Sequence, residues 1–204
     1  WNKFLQGYYD GSGISAEVFD QAVSLASKGD SVLSDEMAAL GIRMITSYST
    51  TTSYGAFNML DPVFGGTTPE KRKLRQAISI AFDIEEQIAV FANGRGIPAQ
   101  SPIPPGIFGN EPGPGGINPV VYRWDETRQA PVRRTLAEAK ALLAEAGYPN
   151  GYGPDGQPLK IRLLTTAGTP EARTFLDFER KQFDKLGIRL EPDIVDYNQF
   201  RTRV

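Results

Sequence analysis

Between residues 69 and 92 the apolar side chains recur at helical spacing, and this places two helices end to end. Leu74, Ile78, Ala81 and Phe82 share one face of the first, while Ile84, Ile88, Phe91 and Ala92 share one face of the second. Pro69 suits the first turn, where its missing N–H costs no hydrogen bond. Between the helices, Asp83 offers a carboxylate to the free N–H groups of the second, and Glu86 three residues on completes a capping-box pattern. Asn93-Gly94 ends the second helix, because glycine reaches the left-handed conformation of a helix stop. Two one-sided helices meeting at a capped corner require a sheet or further helices to cover them.

The flanking chain supplies those elements. A helix is predicted from Ala16 to about Ser27 behind a Ser15 cap, broken at Gly29-Asp30, and a shorter one behind Ser34 that stops at Gly41. Ile42 to Thr46 reads as a strand, the Ser/Thr run to Ser53 as strand with loop, and the alternation from Tyr54 to Leu60 as a further strand ending at Asp61-Pro62. Residues 107–134 hold so many glycines and prolines that no regular element is predicted, with Tyr122 and Trp124 pinning the loop to the body. Thr135 and Glu138 form a second capping box ahead of a helix to Gly147. Leu159, Ile161 and Leu163 alternate as a strand, Thr169-Pro170 starts a helix along Phe175, Leu176, Gln182, Phe183 and Leu186, and Ile188 to Glu191 returns as a strand. That order is a β-α-β unit with parallel strands. An Asp196-x-x-Gln199 cap opens one more helix near Val204.

Composition removes several chemistries. The 204 residues include no cysteine and no histidine, which excludes thiol nucleophiles, disulfides and His-based metal sites or triads. Net charge is −2, and Lys71-Arg72-Lys73 is the one basic run, so no nucleic-acid partner is expected. Those cations sit in a first helical turn, where the helix dipole disfavours them, and Glu70 or another carboxylate is expected to pair with them. A hydrophobic share of 40% with 23% charged residues is that of a globular protein with a sizeable core. No apolar run reaches the roughly 20 residues of a membrane span. The glycines of 106–116 follow no strand and open no helix, so no phosphate loop is read there. Asp83 and Glu86 are explained by capping, and no G-x-S-x-G elbow or calcium-loop spacing occurs. No catalytic residue, metal ligand or cofactor is assigned.

Two separated motifs carry a family resemblance. Arg75, Gln76, Ala77, Ile78, Ala81 and Asp83, then Asn93-Gly94-Arg95-Gly96 with Pro98, and Ser101-Pro102-Ile103-Pro104-Pro105-Gly106, form one ordered set. The run Leu136 to Tyr148, containing Ala139-Lys140, Leu142-Leu143 and Glu145-Ala146-Gly147-Tyr148, forms the other. Together they resemble the signature of the extracytoplasmic solute-binding proteins, family 5, of peptide and nickel ABC transporters.

The resemblance implies an α/β fold, a periplasmic-binding-protein-like lobe (type II) with a mixed sheet, flanking helices and a β-α-β unit, truncated at the C-terminus. Residues 1–53 would be the end of a first lobe with its crossing strand, and 54–204 an incomplete second lobe. Tyr54, Phe57 and Asn58 would lie near the ligand path. The implied partners are a peptide or other small solute, the ABC permease subunits of the inner membrane and the missing remainder of the polypeptide. The implied location is periplasmic or extracytoplasmic, at the membrane through the transporter. Further ligand contacts are expected beyond Val204, and the segment alone is expected to bind peptides weakly or not at all. A carboxylate-dependent hydrolase and a stand-alone interaction module are the competing readings.

Overall fold

The computed structural model describes residues 1–25, 31–166 and 169–203, which divide into two compact units. The first comprises 1–49 and 88–97, the second 50–87 and 98–204.

In the first unit, α1 (Asn2–Leu5) is followed by a single 3-10 turn, α2 (Phe19–Ala22), β1 (Val23–Leu25), β2 (Ser31–Leu33) and α3 (Asp35–Ala39). The helix expected over 16–27 therefore stops at Ala22. From Val23 the chain is extended and pairs antiparallel with β2, Val23 opposite Leu33. A β-branched residue at the turning point and a partner strand nearby outweigh the helical spacing. Ala26, Ser27 and the Gly29-Asp30 break lie outside the described residues. Ser15 and Ser34 make no side-chain caps, and the Ser34 hydroxyl donates instead to the Gln21 carbonyl at 2.9 Å. Phe19, Ala22 and Val23 form a small core with Trp1, Ile14 and Met44, and the Arg95 guanidinium lies 4.8 Å from the Phe19 ring centroid. The strand predicted for 42–46 does not form: the chain is irregular there and Ile45 is exposed, and no strand among the described residues pairs with it.

The second unit is built on α4 (Pro69–Ala81), which leads into α5 (Ile84–Phe91), a helix that ends in residues of the first unit. Thr68 caps α4 through the Lys71 N–H, and Leu74, Ala77, Ile78, Ile80 and Ala81 are buried. They pack on Ala139, Leu143 and Ala146 of the segment containing α6 (Leu136–Glu145). Lys73 pairs with Glu145 at 2.8 Å, whereas Lys71 reaches the Pro62 carbonyl at 2.7 Å; neither uses Glu70.

The stretch 107–134 contains a hairpin that the sequence reading missed: β3 (Tyr122–Asp125) pairs antiparallel with β4 (Ala130–Arg133), Tyr122 opposite Arg133. Apart from Pro131, the glycines and prolines that argued against order end at Pro119, before the hairpin begins, and Asp125 closes the turn by accepting from the Thr127 and Arg128 N–H groups. Pro131 fits because this strand has an open edge.

The Thr135–Glu138 capping box opens α6 with both of its reciprocal bonds present. Then β5 (Lys160–Thr165), α7 (Pro170–Asp184) and β6 (Arg189–Ile194) form the β-α-β unit, and its strands are parallel, Lys160 opposite Arg189. Ile161, Leu163 and Leu190 pack beneath Leu176 and Phe183 of α7. Lys160, Arg162, Arg189, Glu191 and Asp193 alternate onto the other face, where Lys160 meets Glu191 at 2.9 Å. The last helix, α8 (Tyr197–Arg203), is capped by Asp196, whose Oδ1 accepts from Asn198 and Gln199. The sheets described are three two-stranded pairs, two antiparallel and one parallel, flanked by helices.

Candidate functional site

The three residues singled out from the sequence, Tyr54, Phe57 and Asn58, lie on one segment ahead of α4. The alternation from Tyr54 to Leu60 predicts a strand, but the segment is irregular and ends in a tight turn. Asn58 makes that turn: its Oδ1 accepts from the Leu60 N–H at 3.0 Å and its carbonyl from the Asp61 N–H at 3.0 Å. Asp61 continues it by accepting from the Val63 and Phe64 N–H groups at 2.8 and 2.9 Å. Phe57 is half-buried and stacks on Phe64 with ring centroids 6.3 Å apart. Tyr54 stands free at 85% exposure, the one member of the three with an aromatic face open to a ligand.

Downstream of that turn an open recess is lined by Pro62, Val63, Thr68, Glu70, Lys71, Leu74, Ala146 and Tyr148. Its floor is the α4–α6 core and its rim carries one acid and one cation. The recess offers no pair of carboxylates, and its one cation, Lys71, is already committed to the Pro62 carbonyl.

The acids at the α4–α5 corner are all engaged. The Asp83 carboxylate accepts from the Glu86 N–H at 3.0 Å, but the return half of the capping box is missing. Gln182 takes its place: its Oε1 accepts from the Asp83 N–H at 3.0 Å, and its Nε2 donates to Glu86 Oε2 at 3.0 Å. Lys185 Nζ reaches the same Glu86 oxygen at 3.2 Å. Donation by Gln182, reinforced by Lys185, lowers the Glu86 carboxyl below its ordinary range.

On its other side, Glu85 Oε1 accepts from the Tyr122 hydroxyl at 2.6 Å and Oε2 from Arg133 at 2.7 Å. Burial, then the Glu85 carboxylate, push the Tyr122 phenol up, so it remains a donor. Arg133 also donates to the Ile80 carbonyl at 2.7 Å and to that of Phe82, closing the C-terminal end of α4.

Sequence reasoning placed Gln182 on an apolar face and did not find its role. The polar residue in the middle of a hydrophobic stripe was the available signal. Arg133 gave no signal, because its carbonyl partners are recognisable only once the hairpin is folded. Among the described residues no group of acidic side chains has the arrangement of a metal site, and no helix is long and apolar enough to cross a membrane.

Comparison with known proteins gives this geometry its context. A family model described as bacterial extracellular solute-binding proteins, family 5 Middle, matches residues 3–204. Heme-binding protein A of Haemophilus influenzae is 26% identical over 162 residues, covering 79% of this chain and 25% of the relative. Among solved structures, the oligopeptide-binding protein AppA of Bacillus subtilis, in complex with a nonapeptide, superposes with a TM-score of 0.51 at 24% identity, covering 72% of this chain and 26% of that one. The dipeptide binding protein of Pseudoalteromonas sp. SM9913, in complex with Met-Leu, gives a TM-score of 0.50 at 27% identity over 72% of this chain and 25% of that one. The chain thus spans about a quarter of the length of these relatives, and the fold is that of a type II periplasmic-binding-protein-like lobe. With the match running from residue 3 to residue 204, the chain belongs to the bacterial extracellular solute-binding proteins of family 5.

Proposed function

We propose that the chain is part of the substrate-binding component of an ABC importer. It captures an oligopeptide or a related solute in a cleft between two lobes and delivers it to the permease subunits of the inner membrane. The observation that carries this reading is the family match along almost the whole chain. The named solutes of the relatives, heme in one case and the dipeptide Met-Leu in another, keep the ligand class broad. The protein works outside the cytoplasmic membrane and performs no covalent chemistry. In support, the corner acids hold helices in place and are not free to act as acid and base.

In this reading residues 54–204 belong to the second lobe and 1–53 to the end of the first. The remainder of the polypeptide supplies the other ligand contacts. Tyr54 contributes an open aromatic face at the ligand path, while Phe57 and Asn58 shape the turn that presents it. Lobe closure follows from ligand contacts made with both lobes at once.

Titration calorimetry of the full-length protein with di- to pentapeptides tests the proposal. Saturable binding that weakens in Tyr54→Ala is the expected result, with weak or no binding by the 204-residue segment alone. Absence of peptide or other solute binding, together with turnover of ester or glycoside substrates, would replace it with the hydrolase reading.

A further inference from the structure

The face of β5 and β6 turned away from α7 carries more positive charge than its own acids take up. Lys160 and Arg162 of β5 alternate onto it with Arg189, Glu191 and Asp193 of β6, and Arg203 of α8 reaches it from the next helix. Among the described residues, these four cations share two carboxylates. Glu191 Oε1 lies 2.9 Å from Lys160 Nζ but 3.9 Å from Arg189 Nε. Asp193 Oδ2 lies 3.0 Å from Arg203 and 4.0 Å from Arg162. Each acid is thus taken by one cation, and a second cation is left with a long contact.

The two left over are Arg162 and Arg189, whose side chains are 80% and 67% exposed and make no hydrogen bond among the described residues. Hydrogen bonding from Lys160, reinforced by the charges of Lys160, Arg189 and Arg162, holds the Glu191 carboxyl below its ordinary range, which reflects the positive field of this face.

The spacing of the two arginines selects what they can hold. In the parallel register Arg162 stands opposite Glu191 and Arg189 opposite Lys160, so the arginines rise from diagonal backbone positions about 7 to 8 Å apart. Alternate side chains of an extended chain repeat at about 6.6 Å. Carboxylates at such alternate positions can meet both guanidiniums, each through a pair of parallel hydrogen bonds. A continuous anionic surface, whether a lipid leaflet or a nucleic-acid backbone, would also press on Glu191 and Asp193, which share the face with the arginines.

We propose that this face of β5 and β6 is a docking surface for an extended acidic segment of a partner protein, with carboxylates at alternate positions held by Arg162 and Arg189. The contact requires neither solute nor lobe closure and is independent of the importer reading. Exposed arginines give weak, salt-sensitive binding that steers encounter and fixes register.

Fluorescence anisotropy of the full-length protein with a labelled Glu-Thr-Glu-Thr-Glu-Thr peptide, blocked at both ends, tests the proposal. Saturable binding is expected to weaken about tenfold in R162E/R189E, and several-fold between about 50 mM and about 300 mM salt. A peptide of the same composition with its acids contiguous is expected to bind more weakly. Equal binding by R162E/R189E places the peptide elsewhere, as in a solute cleft, and overturns the proposal while leaving the importer reading intact. Equal binding of the two peptides, tighter binding of phosphatidylserine vesicles than of the alternating peptide, or no binding to the full-length protein overturns it as well. If the double reversal fails to fold, R162Q/R189Q removes the same charges and carries the comparison.

Discussion

Gln182 Nε2 donates to Glu86 Oε2 at 3.0 Å, joining two side chains that are 96 positions apart in sequence. The same glutamine accepts from the Asp83 N–H at 3.0 Å and is only 2% exposed. Replacing it with leucine leaves a partly buried N–H and a carboxylate without that partner. Gln182→Leu should therefore lower stability by about 2 to 3 kcal/mol in urea unfolding, with a smaller loss for Glu86→Gln. A leucine variant as stable as the parent would mean that water replaces the glutamine at no cost.

The stop of α7 meets the segment after α6 backbone to backbone. Gly187 has φ +73°, and a Cβ there would lie 2.3 Å from the Asn150 carbonyl oxygen. Gly147, at φ +92°, has open space around it. Gly147→Ala should lower stability by about 1 kcal/mol, the conformational term alone, and Gly187→Ala by at least about 2. Equal losses in thermal unfolding would show that the contact relaxes.

Leu143 is fully buried against α4, whereas Leu136 at the start of the same helix is exposed. Leu143→Ala should cost about 2 to 5 kcal/mol by leaving a cavity, and Leu136→Ala less than about 1. The urea midpoints of the two variants give the comparison directly, and similar values would place the core elsewhere.

The capping box of α6 carries an acid-side dependence. The Thr135 N–H, helped by Arg134, the Thr135 hydroxyl and Arg123, holds the Glu138 carboxyl down to about 2. A depressed folded-state value stabilises above the ordinary carboxylate range, and this contribution is lost as pH falls from about 4.5 towards about 2. Glu138→Gln should flatten the stability profile in that window, as read from unfolding midpoints at successive pH values. An unchanged slope in the variant would assign the dependence to other carboxylates.

Legibility followed the range of the interactions. The helices at 69–81, 84–91, 136–145 and 170–184 were readable because periodicity, caps and stops lie within a few residues of one another. The parallel pairing of β5 and β6 followed from the order strand, helix, strand. Strands at 42–46 and 54–60 were misread, because alternation records a preference for extended chain and a strand also needs a partner. The half-formed box at Asp83 was readable on its local side alone, since the other half comes from Gln182. Within the candidate site, the role of Asn58 in its turn is a local event, but the stacking of Phe57 on Phe64 and the exposure of Tyr54 depend on how the chain folds back.

The parallel register of β5 and β6 also bears on how the chain emerges from the ribosome. The hairpin of β3 and β4 closes through four residues, so its strands meet as soon as Arg133 is made. β5 has no such neighbour: Lys160 must wait for Arg189, and Thr165 for Ile194, with all of α7 synthesised in between. Until then Ile161 and Leu163 have no covering helix and the strand backbone lacks its β6 mate, which leaves this strand open to chaperone capture or misassembly for that interval.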